Sequence, residues 1–233
     1  MADLAERIHR NLAEVRDRIA EAARRSGRTP DSIHLVAVTK FVGEAEIRAL
    51  VEAGCTTLGE SRPQQLWEKA ATLAELPIHW HLIGHLQRNK AKRTVPLVEM
   101  IQSVDSLDLA VALDRHADEA GRRVPVLLEV NVSGEPAKHG FAPAEVATLL
   151  PDLGRLAHLD IRGLMCMASL EGGLDAARRD FAALRDLRDR LQGDCPETIR
   201  LDELSMGMSG DFEVAIEEGA TMVRIGSALF EER

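Results

Sequence analysis

The sequence predicts a single (β/α)8 barrel of the TIM type with an extra helix at its N-terminus. Three observations carry that expectation. Short runs of β-branched and apolar residues recur about eight times along the chain, the number of strands that a closed parallel barrel needs. Each run is followed by a segment of helical periodicity, and strict alternation of strand and helix argues a parallel sheet. The length, 233 residues, also suits one barrel of about 250 residues. An open doubly wound sheet shows the same alternation, because strand order cannot be read from one sequence; the strand count and the N-terminal helix favour the barrel.

From Ala2 to about Gly27, Leu4, Ile8, Leu12, Val15 and Ile19 recur at the three- and four-residue steps of an amphipathic helix, which Gly27 and Pro30 end. Strands are expected at Ile33 to Thr39, Thr57 to Gly59, His79 to Ile83, Met100 to Val104, Pro125 to Val132, Leu159 to Met167, Glu203 to Met206 and Thr221 to Ile225. The crossover helices between them are expected at Glu44 to Ala53, Pro63 to Leu73, Arg88 to Val98, Leu107 to Ala120, Ala144 to Leu156, Leu174 to Leu191 and Phe212 to Glu218. The run Pro125 to Val132 is mostly apolar on both faces, as a strand must be when helices cover one side and packed side chains fill the other. No Pro/Gly/Ser-rich linker, repeat period or low-complexity tract divides the chain. Residues 1–233 therefore read as one domain, with 1–27 as its N-terminal helix.

Composition narrows the function classes. Hydrophobic residues at 45% and charged residues at 29% leave no reason to expect long disorder. A formal charge of −9 repels nucleic acid and anionic membrane surfaces, so neither is an expected partner. Cys55, Cys166 and Cys195 are odd in number, widely spaced and free of any CxxC, which supports neither a disulfide framework nor a cysteine zinc site. The opening MADLAERIHR lacks the apolar core of a secretion signal, and no stretch of 18 apolar residues follows; a cytoplasmic protein is expected.

In a barrel the site is built from loops at the C-terminal ends of the strands, so polar residues there are the candidates. Lys40 stands at such an end, directly after the apolar run LVAVT; a solvated lysine capping the strand is the alternative. Ser205-Met206-Gly207-Met208-Ser209-Gly210 leaves the seventh strand, and Gly226-Ser227 leaves the eighth. Small residues there let backbone N–H groups approach an anion, and the loops after strands seven and eight are the usual phosphate site of these barrels. Arg224 interrupts an otherwise apolar strand, and a buried guanidinium is costly unless it has a specific acceptor.

Taken in order, LVAVTK, Gly59-Glu60, HWHLIGHLQRNK, VLLEVNVSGEPAKHGF, IRGLMCMA and LSMGMSGDFEVAIEEGATMVRIGSALF resemble the pyridoxal phosphate homeostasis proteins over nearly the whole chain. That family looks like the barrel domain of alanine racemase without its second, β-rich domain. The resemblance implies that pyridoxal 5′-phosphate is the cofactor, bound as a covalent aldimine on Lys40. It implies that Arg224 faces the pyridine nitrogen and that Ser205, Gly207, Ser209, Gly226 and Ser227 form or support the phosphate loops. It also implies a role in cofactor homeostasis, with apo pyridoxal-phosphate enzymes as partners. A lysine amine must be partly neutral to attack an aldehyde, which burial at a strand end would promote. Two departures stand out: Phe41-Val42-Gly43 follows Lys40 where relatives carry polar residues and a Pro, and Ser61-Arg62 follows Glu60 where relatives commonly place an Asn beside the cofactor.

His81 is expected as a polar wall near the cofactor. His79, His81 and His85 lack an acidic or Cys partner at fixed spacing, so no metal is expected. The basic stretch Arg88 to Arg93 reads as a solvated helix face. Lys138, in the loop SGEPAKHG after strand five, either guards the pocket mouth or takes the aldehyde during transfer, or is an exposed lysine without a role. An enzyme of the racemase or lyase class is the alternative function. Racemisation needs two bases on opposite faces of the substrate, and the chain contains no Tyr to match the second base of alanine racemases. No catalytic residue is therefore assigned.

Overall fold

Eight short apolar runs pair side by side in one direction until the last meets the first. In the computed structural model, which describes residues 2–169 and 171–232, β1 (His34–Val38), β2 (Thr57–Glu60), β3 (His79–Leu82), β4 (Met100–Val104), β5 (Val124–Glu129), β6 (Leu159–Met165), β7 (Glu203–Ser205) and β8 (Met222–Ile225) form a closed barrel in sequence order. The expected (β/α)8 architecture is what the chain adopts. Closure places Val36 of β1 beside Arg224 of β8 and Ala37 beside Ile225. The segments that leave these two strands, one carrying Lys40 and the other Gly226 and Ser227, thus start at one height on the same end of the barrel.

Val36, Met100, Leu127, Met165 and Met222 fill the barrel, with Ile83 packed on them. A second and larger apolar layer lies between the strands and the surrounding helices. α1 (Ala2–Arg25) buries Ile8, Leu12, Val15 and Ile19, the stripe that its periodicity marks. Its buried Asn11 donates from Nδ2 to the carbonyls of Leu229 (3.2 Å) and Glu231 (3.0 Å). The N-terminal helix thereby seats the last helix, which begins at the mouth of the barrel.

The crossover helices are α2 (Glu44–Glu52), α3 (Pro63–Thr72), α4 (Ala91–Thr94), α5 (Leu107–Glu119), α6 (Pro143–Leu153), α7 (Gly173–Gln192) and α8 (Phe212–Glu217), and α9 (Ser227–Phe230) follows β8. Two expectations need correction. Arg88 to Val98 is not one helix but a 3-10 turn (Arg88–Lys90), the single turn of α4 and a second 3-10 turn (Val95–Leu97). Pro96 has no N–H to continue the α-helical ladder, and its ring crowds the preceding turn. The fifth strand ends at Glu129 rather than Val132. Beyond it Val130 keeps a lone bridge to Phe141, and Asn131 turns its side chain onto its own loop, donating to the Glu135 carbonyl (2.9 Å) and accepting from Gly134 N–H (3.1 Å). Among the described residues no helix is long and apolar enough to cross a membrane.

One glycine sets how closely two strands approach. The register of β5 on β6 slips between Val126 and Leu127, opposite Ile161 and Gly163, so Arg162 is extra and the strand bulges. Directly after it Gly163 faces Glu203 of β7, where an added Cβ would fall 1.9 Å from the Glu203 carbonyl oxygen. Gly163→Ala is therefore expected to lose about 1–3 kcal/mol or more, since backbone rather than a side chain must give way. Gly193→Ala, at φ −72° with no atom within 4 Å of the added methyl, should be neutral or stabilising. Urea midpoints of the two variants check this, and equal midpoints would remove the steric account of Gly163.

Candidate functional site

The C-terminal ends of the strands enclose a cavity of about 690 Å3 whose wall includes Lys40, Glu129, Ser209, Arg224, Gly226 and Ser227. Three elements position Lys40. Thr39 donates its N–H to the Gly59 carbonyl (2.9 Å) and its hydroxyl to Glu60 Oε1 (3.0 Å). Lys69 of α3 donates to the Thr39 carbonyl (2.6 Å) and to the fully buried Glu60 carboxylate. The backbone before Lys40 is thus clamped on both sides. The side chain itself is exposed, with Nζ 4.9 Å from the ring centre of Phe41, which is 83% exposed. Burial therefore does not promote the neutral amine here: β1 stops at Val38, so Lys40 already lies in the turn beyond the sheet.

Arg224 is the opposite case, only 4% exposed. Its Nη1 donates to Ser205 Oγ (2.6 Å) and its Nη2 to the Cys166 carbonyl (2.8 Å). Ser205 Oγ in turn donates to Gln102 Oε1 (2.6 Å), and Gln102 Nε2 lies 2.9 Å from His81 Nδ1. An amide nitrogen only donates, so His81 Nδ1 accepts and its ring is the neutral tautomer protonated at Nε2. Burial drives the His81 pKa down to about 4, in agreement. Burial also lowers the Arg224 pKa, against the opposing charges of Glu129 and Asp211.

At the ends of β7 and β8, Gly207 adopts φ +94° and offers its carbonyl to Arg224 N–H (3.0 Å). A Cβ there would meet Ala215 at 2.6 Å and Phe212 Cα at 2.9 Å, so the turn requires glycine. Ser209 Oγ accepts from the N–H groups of Gly226 (3.2 Å) and Ala228 (3.4 Å). A hydroxyl oxygen thus marks the point on which these amides converge. At Gly210 an added methyl would meet nothing within 4 Å, so the loop is open on that side.

The structure brings Lys40, Ser209, Arg224, Gly226 and Ser227 to one wall. Ser205 and His81 lie beneath it as links to Arg224, and Gly207 shapes the loop. Lys138 is not on the wall. Its Nζ donates to Glu135 Oε1 (2.8 Å), the Ala168 carbonyl (2.8 Å) and Ser133 Oγ (3.2 Å), which ties the loop after β5 to the segment after β6. The three histidines of β3 and its loop diverge: His79 meets Glu99, His81 meets Gln102, and His85 Nδ1 meets Asp105 Oδ2 at 2.6 Å.

Sequence reasoning missed Glu129, Asp105 and His139 at this end of the barrel, and named His85 only to set it aside as a metal ligand. Glu129 is buried at the end of β5, and its side chain makes no hydrogen bond or ion pair among the described residues. Burial first, and the charge of Asp105 second, push its pKa up to about 7. The signal was present, for Glu129 is a charge inside an apolar strand just as Arg224 is.

The family model for the alanine racemase N-terminal domain matches residues 10–233. A pyridoxal phosphate homeostasis protein of Pseudomonas aeruginosa is 41% identical over 226 residues, covering 97% of this chain and 96% of that protein. One of Aquifex aeolicus is 40% identical over 222 residues, covering 95% and 96%. The structure of PipY of Synechococcus elongatus with pyridoxal phosphate bound superposes with a TM-score of 0.86 at 40% identity, covering 96% of this chain and 100% of that one. A Clostridium difficile alanine racemase shares the fold at 14% identity, with a TM-score of 0.76 over 98% of this chain and 57% of its own.

His81 and Glu129 give stability opposite pH slopes. The folded His81 refuses a proton that the unfolded chain accepts, from its ordinary value of 6.5 down to about 4, so stability rises with pH across that window. The folded Glu129 keeps a proton that the unfolded chain releases, from its ordinary value of 4.5 up to about 7, so stability falls with pH there. In the ligand-free protein Glu129→Gln abolishes only the second slope. The difference in urea midpoint, variant minus parent, is expected to grow between pH 4.5 and pH 7; a constant difference would show that Glu129 titrates normally.

Proposed function

This chain belongs to the family of the alanine racemase N-terminal domain and, within it, to the pyridoxal phosphate homeostasis proteins, and we propose that it binds pyridoxal 5′-phosphate reversibly, as a covalent aldimine on Lys40. In this reading it buffers the cofactor in the cytoplasm and delivers it to apo-enzymes that need it, without efficient turnover of amino acids. The observation that carries the reading is the meeting of an amine, a buried guanidinium and two converging amides on one cavity wall.

The residues fit the cofactor. The volume of about 690 Å3 lies in the range of about 300–1,000 Å3 usual for small-ligand pockets. The donor set offers one partner for each of its polar ends: Lys40 Nζ for the aldehyde, the amides of Gly226 and Ala228 with the hydroxyls of Ser209 and Ser227 for the phosphate, and Arg224 for the ring nitrogen. When bound, the cofactor supplies an aldehyde that condenses with amines and a ring that takes up electrons from a substrate carbon. Arg224 remains protonated and only donates, so it holds the ring nitrogen in its unprotonated form, the weaker electron sink. Its inward bonds to Ser205 and Cys166 fix the guanidinium plane before any ligand arrives.

Efficient racemisation lacks its usual part. Alanine racemases reprotonate from the face opposite the lysine with a Tyr, this chain has none, and loss of one such group costs about 10²–10⁴-fold in rate, which leaves room only for a weak side activity through a His or Cys. Delivery needs only exchange of one imine for another at an accessible amine, and Lys40 is exposed.

The test is an absorption spectrum of the protein mixed with pyridoxal phosphate, followed by transfer to an apo-aminotransferase and chiral analysis of incubated amino acids. A visible aldimine band, lost in Lys40→Ala and trapped by borohydride, is expected, with recovery of aminotransferase activity. Racemisation at roughly 1–10³ s⁻¹, the range of dedicated enzymes, would replace the carrier with an enzyme.

A further inference from the structure

Beside the cavity, three loops bring together side chains that the cofactor reading does not use. His85 follows β3, Asp105 follows β4 and His139 lies in the loop after β5. One donor atom from each falls within 4.8 Å of the others, the one such cluster among the described residues. The geometry points to a binding site for a divalent first-row transition ion of the Zn²⁺ class, held by His85, Asp105 and His139 at the rim of the barrel.

The distances are close to those required. Asp105 Oδ2 lies 2.6 Å from His85 Nδ1 and 3.8 Å from His139 Nδ1. With zinc–nitrogen and zinc–oxygen bonds of about 2.0–2.2 Å, neighbouring ligands of a tetrahedral ion stand about 3.3 Å apart. The first pair must therefore open and the second close by well under an ångström. Ligation through Nδ1 requires that nitrogen to give up the proton it donates to Asp105, leaving the imidazole proton on Nε2.

The two imidazoles now stack, ring centres 4.0 Å apart and 10° from parallel, so both cannot point a lone pair at one ion. One must turn. His139 is the freer of the two: its side chain is 56% exposed, against 40% for His85 and 8% for Asp105. Gly140, at φ +116°, follows it directly. Asp105 is the fixed member, with its second oxygen accepting from the Ser106 hydroxyl (3.3 Å), the outer-shell support usual for a ligating carboxylate.

Charge argues the same way. Glu129, buried and without a side-chain partner among the described residues, lies within the field of Asp105, and a cation beside Asp105 would offset that acidic charge. Two imidazoles with a carboxylate suit zinc, nickel or cobalt rather than calcium or magnesium. Three protein ligands leave a position open, and His85 and His139 both line the cavity, so that position takes water or an oxygen donor of a cavity ligand.

The three ligands do not include Lys40, which belongs to another loop, so ion binding can be read without the cofactor. The untagged, cofactor-free chain would be titrated with Co²⁺ and read by its d–d absorption, then displaced with Zn²⁺. One ion per chain is expected in the parent and in Lys40→Ala. His139→Ala should weaken binding at least about tenfold, and Asp105→Asn should do the same. His139 is exposed on a loop, so its variant remains informative even where Asp105→Asn unfolds, and thermal melts report which variants are folded. Absence of stoichiometric binding in the parent, or binding unchanged in His139→Ala, overturns the site. A visible aldimine band in the parent with no cobalt signal would sink the metal site alone.

Discussion

A guanidinium held inside a barrel constrains most of what surrounds it. Arg224 points from β8 into an interior whose apolar filling is Val, Leu and Met, where an unsatisfied charge would cost several kcal/mol. Among the described residues no carboxylate meets it in an ion pair. It donates instead to the Ser205 hydroxyl of β7 and the Cys166 carbonyl after β6. The Ser205 hydroxyl has one proton, and accepting from Arg224 directs that proton to Gln102 of β4. Gln102 must then present its amide nitrogen to His81 of β3, and His81 must stay neutral. One charge on β8 thus sets the orientation of three other side chains, on β7, β4 and β3. Polar networks of this kind make a core rigid, because the arrangement of each member is set by its neighbours.

The backbone of the same residue links the core to the loops above it. Arg224 N–H takes the carbonyl of Gly207, whose positive φ turns the chain so that Ser209 reaches the amides of Gly226 and Ala228. The loop after β7 is therefore fastened to β8 by backbone as well as side chain. α1 adds a tie from outside the barrel through Asn11, which holds the carbonyl ends of α9. The floor and the far wall of the cavity are built before any ligand is present.

Much of this was legible in the sequence. Strand and helix alternate with different periods, 2 against 3.6, and nothing longer in range is needed to count them; the barrel followed from that count. Arg224 was legible because a charge in an apolar strand demands an acceptor. Glu129 carries the same mark, yet one carboxylate among apolar residues is easily taken for a strand end. The helix expected from Arg88 to Val98 failed at Pro96, a residue whose effect on the backbone is local and readable. The cluster of His85, Asp105 and His139 is of another kind. Its members stand 20 and 34 positions apart, and only the register of β3, β4 and β5 and the return of one loop bring them together. No spacing rule applies to residues that meet across strand ends.

The contrast between Arg224 and Lys40 bears on how such a site would hold and release a ligand. A ligand gripped only by buried, preorganised groups leaves slowly, since each contact is lost into a dry interior; one gripped at an exposed amine can be attacked there by a competing amine while its other end is still held. On the proposed reading this barrel divides the two tasks between two strands. β8 supplies the rigid anchor, with its guanidinium fixed from below and its amides converging from above. β1 supplies the exchangeable end, because it stops at Val38 and lets Lys40 lie beyond the sheet with only the exposed ring of Phe41 beside it. Extending β1 by a single turn of backbone pairing would draw that amine toward the interior, where desolvation favours its neutral form but closes the approach of a second amine. The early end of one strand, rather than any added residue, is then what separates a barrel suited to exchange from one suited to retention.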